Sequence, residues 1–282
     1  MLVVAAVVCV ASFAHADPAT DASKAFSSFA DAVAAKKLPD GIEAFIGPQH
    51  DAEVAVADPA DVLAVVPSPK LKIVSSHVAK SGTAAWVVAA VPGAKYDVAW
   101  EQASTQPLRA SAFLTLDGGT WHVRAVHWSG GVPNRPRAGG CGNMDIAYEP
   151  PDAIAKGAEP AVKLVRDAFL GAEYRTGKLQ TGVIVAALSD DKAAQMFGSA
   201  PDEMFIGGAT IKSIFKKWKV DLRANSDHTR AGIAPGGDLA WVATEVASDL
   251  QCTPYRTLFV LQLEGGKWKI VHMHFSSWVS TR

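Results

Sequence analysis

Two stretches of this chain repeat one another at a fixed spacing, and that repetition narrows the possible folds more than any other feature. Leu108 to Ser129 aligns without gaps on Tyr255 to Ser276 at an offset of 147. Identical pairs are Arg109/Arg256, Leu114/Leu261, Leu116/Leu263, Gly118/Gly265, Gly119/Gly266, Trp121/Trp268, His127/His274 and Ser129/Ser276, eight of 22 positions. Upstream, Ala85-Trp86-Val87 recurs as Ala240-Trp241-Val242 at an offset of 155, so the first copy carries 155 − 147 = 8 extra residues, placed within Pro92 to Pro107. A glycine turn alone recurs by chance. One with a shared Trp, His and Ser behind it and a Trp strand ahead of it predicts a duplicated domain.

The rest of the chain is consistent with two copies. Its 282 residues suffice for two domains of ordinary size, and 49% hydrophobic residues with 20% charged ones describe a chain that buries a core. A net charge of −1 supplies no field to attract nucleic acid or anionic lipid, so neither is an expected partner. Leu2 to Val10 is an apolar stretch followed by Ala14-His15-Ala16, the small-x-small pattern of a cleaved export signal. The run is shorter than the ~20 residues of a spanning helix, so the mature chain is expected to start at Asp17, secreted or periplasmic and outside the membrane. The predicted layout is a signal peptide at 1–16, a first domain at 17–130, a Pro/Gly-rich linker at 131–158 and a second domain at 159–282. Cleavage removes Cys9. Cys141 and Cys252 then remain, and a disulfide between them is expected in an oxidising compartment, with separate thiols as the alternative.

Each copy opens on a helical spacing of apolar residues, Phe26, Phe29, Ala30 and Val33 in the first and Val162, Val165 and Phe169 in the second. A further helix follows Gly208, with Ile211, Ile214, Phe215 and Trp218 on one face and Lys212, Lys216, Lys217 and Lys219 away from it. In the matching region of the first copy Pro67 and Pro69 interrupt the pattern. The later half of each copy reads as antiparallel strands joined by Gly118-Gly119 and Gly265-Gly266. Two-residue loops there pair Leu263 with Trp268, Leu261 with Ile270, Phe259 with His272 and Thr257 with His274. The first copy repeats this with Leu116, Leu114, Ala112 and Ala110 opposite Trp121, Val123, Ala125 and His127. This register turns the histidines inward with the apolar side chains and puts Arg109 and Arg256 on the opposite face, toward solvent or the other copy.

Gly198-Ser199-Ala200-Pro201-Asp202-Glu203, the helix after Gly208, Leu239-Ala240-Trp241-Val242 and the closing Gly265-Gly266-Lys267-Trp268-Lys269-Ile270-Val271-His272-Met273-His274-Phe275-Ser276 together resemble the SnoaL-like branch of the nuclear transport factor 2-like superfamily. The resemblance covers nearly all of Glu159 to Arg282 and is weaker in Ala25 to Gly130. It implies an α+β fold of two tandem cones, each a curved antiparallel sheet wrapped around N-terminal helices, often enclosing a pocket. Sheet-to-sheet dimerisation is common in the superfamily, so the two domains are expected to pack as an intramolecular pseudo-dimer.

Such scaffolds host enzymes and binding modules alike, so function has to come from side chains. His274 and His272, two residues apart on one strand, are candidates for a catalytic or ligand-contacting role, and equally for structural hydrogen bonding within the sheet. Glu245 follows Trp241 and Ala243 on one strand face. Desolvated there it is a candidate base, while at a strand end it is an exposed carboxylate. The expected ligand-contacting set is Trp241, Glu245, Phe259, His272, His274 and Tyr174, with Glu245 and His274 the catalytic candidates. No third ligand stands at metal spacing beside the histidines, and no phosphate loop, nucleophile elbow or dinucleotide fingerprint is present, so neither metal nor cofactor is expected. The sequence favours an exported non-catalytic protein that binds a small apolar ligand or a protein partner. The alternative is an isomerase, dehydratase or cyclase with its pocket in the second domain.

Overall fold

A computed structural model describes residues 17–47, 71–91, 108–130, 152–170, 181–200, 202–217, 222–224, 229–248 and 251–276. The signal segment, Pro67 and Pro69, the insertion, Cys141, Tyr174 and Trp218 lie outside these residues. So does most of the linker, and with it the question of a disulfide to Cys252.

Helix α1 (Pro18–Ala34) starts where Asp17 caps it, its carboxylate accepting from the Ala19 amide, with Pro18 in the first turn where its missing N–H costs nothing. It buries Ala22, Phe26, Phe29, Ala30 and Val33, the face its spacing predicts. That face packs on a five-stranded sheet ordered β1 (Ala44–Ile46), β5 (Thr120–Gly130), β4 (Leu108–Asp117), β3 (Ala84–Val91), β2 (Lys72–Val78). Beyond β6 (Ala153–Ile154), helices α2 (Glu159–Leu170), α3 (Thr181–Ala187) and α4 (Gly208–Lys217) cover a second sheet. Its order is β6, β10 (Arg230–Ile233), β11 (Leu239–Ser248), β12 (Gln251–Glu264), β13 (Lys267–Ser276), β7 (Gln195–Phe197), β8 (Met204–Ile206), with β9 (Leu222–Ala224) beside β11. Strand β6 falls in the stretch read as linker and pairs in parallel with β10. The inside of this sheet is filled by Phe169, Phe215, Phe259 and Phe275, whose ring centroids lie 5.2 to 6.4 Å apart. None of the helices described is long and apolar enough to cross a membrane.

Matched strands take matched places. Read from β1 to β2 and from β7 to β10, both sheets follow one order, with β1 parallel to β5 and β7 parallel to β13. Both hairpin turns hold two glycines in the left-handed region, φ 56° and 82° at Gly118 and Gly119, 55° and 79° at Gly265 and Gly266. These are the torsions a two-residue turn needs to follow the strand twist.

The register holds near the turns and fails beyond them. Leu263 pairs with Trp268 and Leu261 with Ile270, as expected, but Val260 then pairs with His272, Phe259 with Met273 and Leu258 with His274. Val271 is an extra residue, a β-bulge. In the first sheet Leu114 pairs with Val123 but Phe113 with Ala125, and Arg124 is extra, 147 residues before Val271. One extra residue reverses which face every later side chain takes. The inward histidines are therefore corrected: Met273 and Phe275, like Val126 and Trp128, fill the interior, while His127, His272 and His274 point to the other side of their sheets. That side also carries Arg109 and Arg256, so the arginines do not lie away from the histidines.

Candidate functional site

The outward faces of the two sheets meet. Trp86, Val88, Phe113 and Ala125 of the first pack against Phe197, Trp241, Leu258, Val260 and Val271 of the second in one buried cluster. A polar centre lies within this seam. His274 Nε2 stands 2.7 Å from Ser129 Oγ, and His127 Nε2 stands 2.8 Å from Ser276 Oγ. These four residues are two of the repeated pairs, so each sheet makes to the other the same contact it receives. The His127 and His274 rings stack at 3.9 Å and 17° where the two halves of this exchange join.

The arginines repeat the exchange. Ile46 lies beside His127 and Phe197 beside His274, so Gly47 and Gly198 follow at equivalent places. Arg109 Nη2 donates to the Gly198 carbonyl at 2.8 Å, and Arg256 Nη1 donates to that of Gly47. Arg109 Nη1 also reaches the Ala200 carbonyl at 3.1 Å, with the guanidinium 5.5 Å from the Phe197 ring centre. Two turns close the seam at one end: Asp238 accepts from the Ser81 amide and hydroxyl, both at 2.8 Å, and the Gly236 amide donates to Thr83 Oγ1 at 3.0 Å.

One part of the centre has no mirrored partner. Ser111 Oγ lies 2.7 Å from His272 Nε2 and 2.9 Å from His274 Nδ1, bridging both rings. A neutral assignment satisfies it, with His272 donating to Ser111, Ser111 donating to His274, and His274 donating through Nε2 to Ser129. His272 also stacks on Trp86 at 5.2 Å, and Trp86 on His77 at 4.1 Å. Burial drives the His272 pKa down to about 3. Burial, then the neighbouring histidine and the two arginines, hold His274 well below the ordinary range. His127 is held down in the same way, by burial and then by Arg256 and Arg109. Arg109 is lowered to about 10 by burial, against the pull of Glu203 and Asp202. These histidines are neutral at physiological pH and arranged as hydrogen-bonding partners of serine.

Among the candidate residues, Trp241, Glu245, His272 and His274 share the seam face, and Phe259 stands on the other side of the sheet in the aromatic interior. Glu245 is buried and sits directly across from Arg256 on the neighbouring strand, so its environment is an arginine and not an apolar cone. The far end of the inner face carries Thr244 and Thr257 where the histidines were expected, Thr257 Oγ1 donating to the Thr244 carbonyl at 2.7 Å. The sequence reading passed over Ser111 and gave Ser129, Ser276 and the arginines no role. The signal for the arginines, Ser129 and Ser276 was available: Arg109/Arg256, His127/His274 and Ser129/Ser276 are among the positions identical at offset 147.

Trp241 lies over Gly232, where an added Cβ would meet the indole nitrogen at 2.3 Å. The equivalent position in the first sheet is His77, which stacks on Trp86. Gly232→Ala is therefore expected to destabilise the chain by about 1–3 kcal/mol through overpacking, read as a fall in the denaturant midpoint at unchanged slope.

Part of this chain is similar to known proteins. Residues 167–280 match the model of the SnoaL-like domain. Among solved structures, a nuclear transport factor 2-like protein of unknown function from Pseudomonas putida is 16% identical, over 44% of this chain and 88% of that one, at TM-score 0.34. A candidate ketosteroid isomerase from Parabacteroides distasonis is 14% identical over 41% and 83%, at TM-score 0.32. A cystatin-like fold protein from Burkholderia xenovorans is 24% identical over 43% and 95%, at TM-score 0.31. No curated protein matches. The match to the SnoaL-like domain runs from the last turn of α2 through β13.

Proposed function

We propose that the chain is an exported, non-catalytic tandem of two SnoaL-like cones, paired sheet to sheet within one molecule, and that it works by binding. The observation that carries this reading is the fate of the groups with chemical potential. His127, His272, His274, Arg109 and Arg256 are spent on contacts between the sheets, and Glu245 faces Arg256 in the same seam. A general base must reach a substrate proton directly or through one water. His274 and Glu245 are both buried between the packed sheets, which favours the binding reading over the isomerase-type alternative. What remains for function is the outer surface and the aromatic interior, which suit a polypeptide partner or a small apolar ligand.

Native mass spectrometry of the chain purified gently from the periplasm tests both halves. The expected mass begins at Asp17 and carries a stoichiometric companion, polypeptide or apolar molecule. An uncleaved N-terminus removes export from the reading. A turnover that Glu245→Gln or His274→Gln abolishes while leaving the fold intact removes the non-catalytic half.

A further inference from the structure

The two halves of the seam are related by the repeat, yet not identical, and their differences are complementary. At offset 147, Ser111 corresponds to Leu258 and Ala125 to His272. On one side of the stacked histidines His272 therefore meets Ser111, at 2.7 Å, and the mirrored positions hold Ala125 and Leu258, both buried in the apolar part of the seam. At offset 155, Ser81 corresponds to Gly236 and Thr83 to Asp238. There the serine hydroxyl of one turn meets the carboxylate of the other, and Ser81 Oγ lies 2.8 Å from both Thr83 Oγ1 and Asp238 Oδ1.

We infer that this seam is specific for the unlike pair: Ser111 with His272, and Ser81 with Asp238, make each sheet face fit the other unit of the chain and reject a second copy of itself. The inference rests on the internal pairing proposed above. Turning either unit onto its own image about the same contact shows why. The second unit on itself sets His272 against Leu258 twice, burying each imidazole without the hydroxyl it now meets, and sets Asp238 against Gly236 twice, without the Ser81 hydroxyl. The first unit on itself sets Ser111 against Ala125 twice and leaves the Ser81 amide and hydroxyl with no carboxylate to donate to. The arginine exchange and the His–Ser exchange survive in all three pairings, since both units carry them. Affinity is thus shared, and discrimination falls to the positions that have diverged, where mismatched polar groups act against the wrong partner.

Two mutant cycles in the full-length chain test this. Ser111→Leu alone drives a leucine against His272 and removes the bridging hydroxyl, and is expected to lower the thermal midpoint by about 5 °C or more. Adding His272→Ala recreates the leucine–alanine contact of the mirrored side and is expected to recover at least half of that loss. At the exposed turns, Thr83→Asp sets a second carboxylate beside the Ser81 hydroxyl and is expected to lower the midpoint by about 1–3 °C at low salt. Asp238→Thr in the same chain exchanges the two turns and is expected to restore it. The buried cycle decides where both its variants fold, and the exposed cycle decides otherwise. Rescue in the deciding cycle supports the inference, and additive losses overturn it. Single substitutions with no effect in either cycle would instead mean that the sheets do not pair at all, which removes the reading beneath the inference.

Discussion

Acidification from pH 7.5 to pH 5 is expected to lower the unfolding free energy of this protein steeply, with the loss beginning near pH 6.5. The folded chain keeps His127, His272 and His274 neutral, because burial penalises the imidazolium, joined at His127 and His274 by the two arginines, and the His272 pKa is pushed down to about 3. In the unfolded chain each titrates near its ordinary value of about 6.5. Below that pH the unfolded state binds protons that the folded state refuses, and stability rises with pH wherever the unfolded state binds more. The direction is therefore loss on acidification, at up to about 1.4 kcal/mol per pH unit for each such histidine, or on the order of 4 kcal/mol per unit for three. Denaturant midpoints at pH 7.5, 6.5, 5.5 and 5.0 measure it. His272→Gln removes one of the three groups and is expected to flatten the slope by roughly one proton's worth. An unchanged slope in that variant, or a wild-type midpoint level between pH 6.5 and 5, would show that the histidines are not held neutral in the fold.

Much of this architecture was legible because its determinants are local. Paired glycines dictate a two-residue turn, the spacing of Phe26, Phe29 and Val33 dictates a buried helix face, and the recurrence of Trp, His and Ser at offset 147 exposes matched strands. The site was misplaced by the width of one residue. A period-two reading carried from the turn puts His272 and His274 inside, and the bulges at Val271 and Arg124 turn them out. The signal for that reversal is in the sequence. Large apolar residues alternate at Trp268 and Ile270, skip a step, and resume at Met273 and Phe275, as Trp121 and Val123 do before Val126 and Trp128. A phase change at one place in both copies is how a conserved bulge writes itself into a strand. The Ser111 bridge was not legible in this way, because a serine opposite a histidine on another sheet leaves no periodicity to read.

The deepest single loss is expected from Arg109→Ala. The guanidinium is fully buried, donates to the carbonyls of Gly198 and Ala200, and lies against the Phe197 ring. Those carbonyls belong to a loop whose shape is already committed: the Gly198 amide donates to the Glu203 carbonyl at 2.7 Å, and the Ala200 amide donates to the Glu203 carboxylate at 2.9 Å. The loop cannot turn its carbonyls elsewhere without breaking these bonds. Truncation to alanine thus removes the guanidinium donor from the buried Gly198 carbonyl, leaves the Ala200 carbonyl with the Glu203 amide alone, and opens a void against an aromatic ring, together about 3–5 kcal/mol. Arg109→Lys keeps a charge but offers no planar fork to two carbonyls, so it is expected to recover less than half of the loss. Because Arg256 makes the mirrored contact to Gly47, Arg256→Ala should fall in the same range. The two losses should add closely when combined only if the contacts act independently. A double variant less destabilised than the sum would mean that the first substitution already opens the seam, and the size of that shortfall then measures how far the two sheets hold together as one cooperative unit.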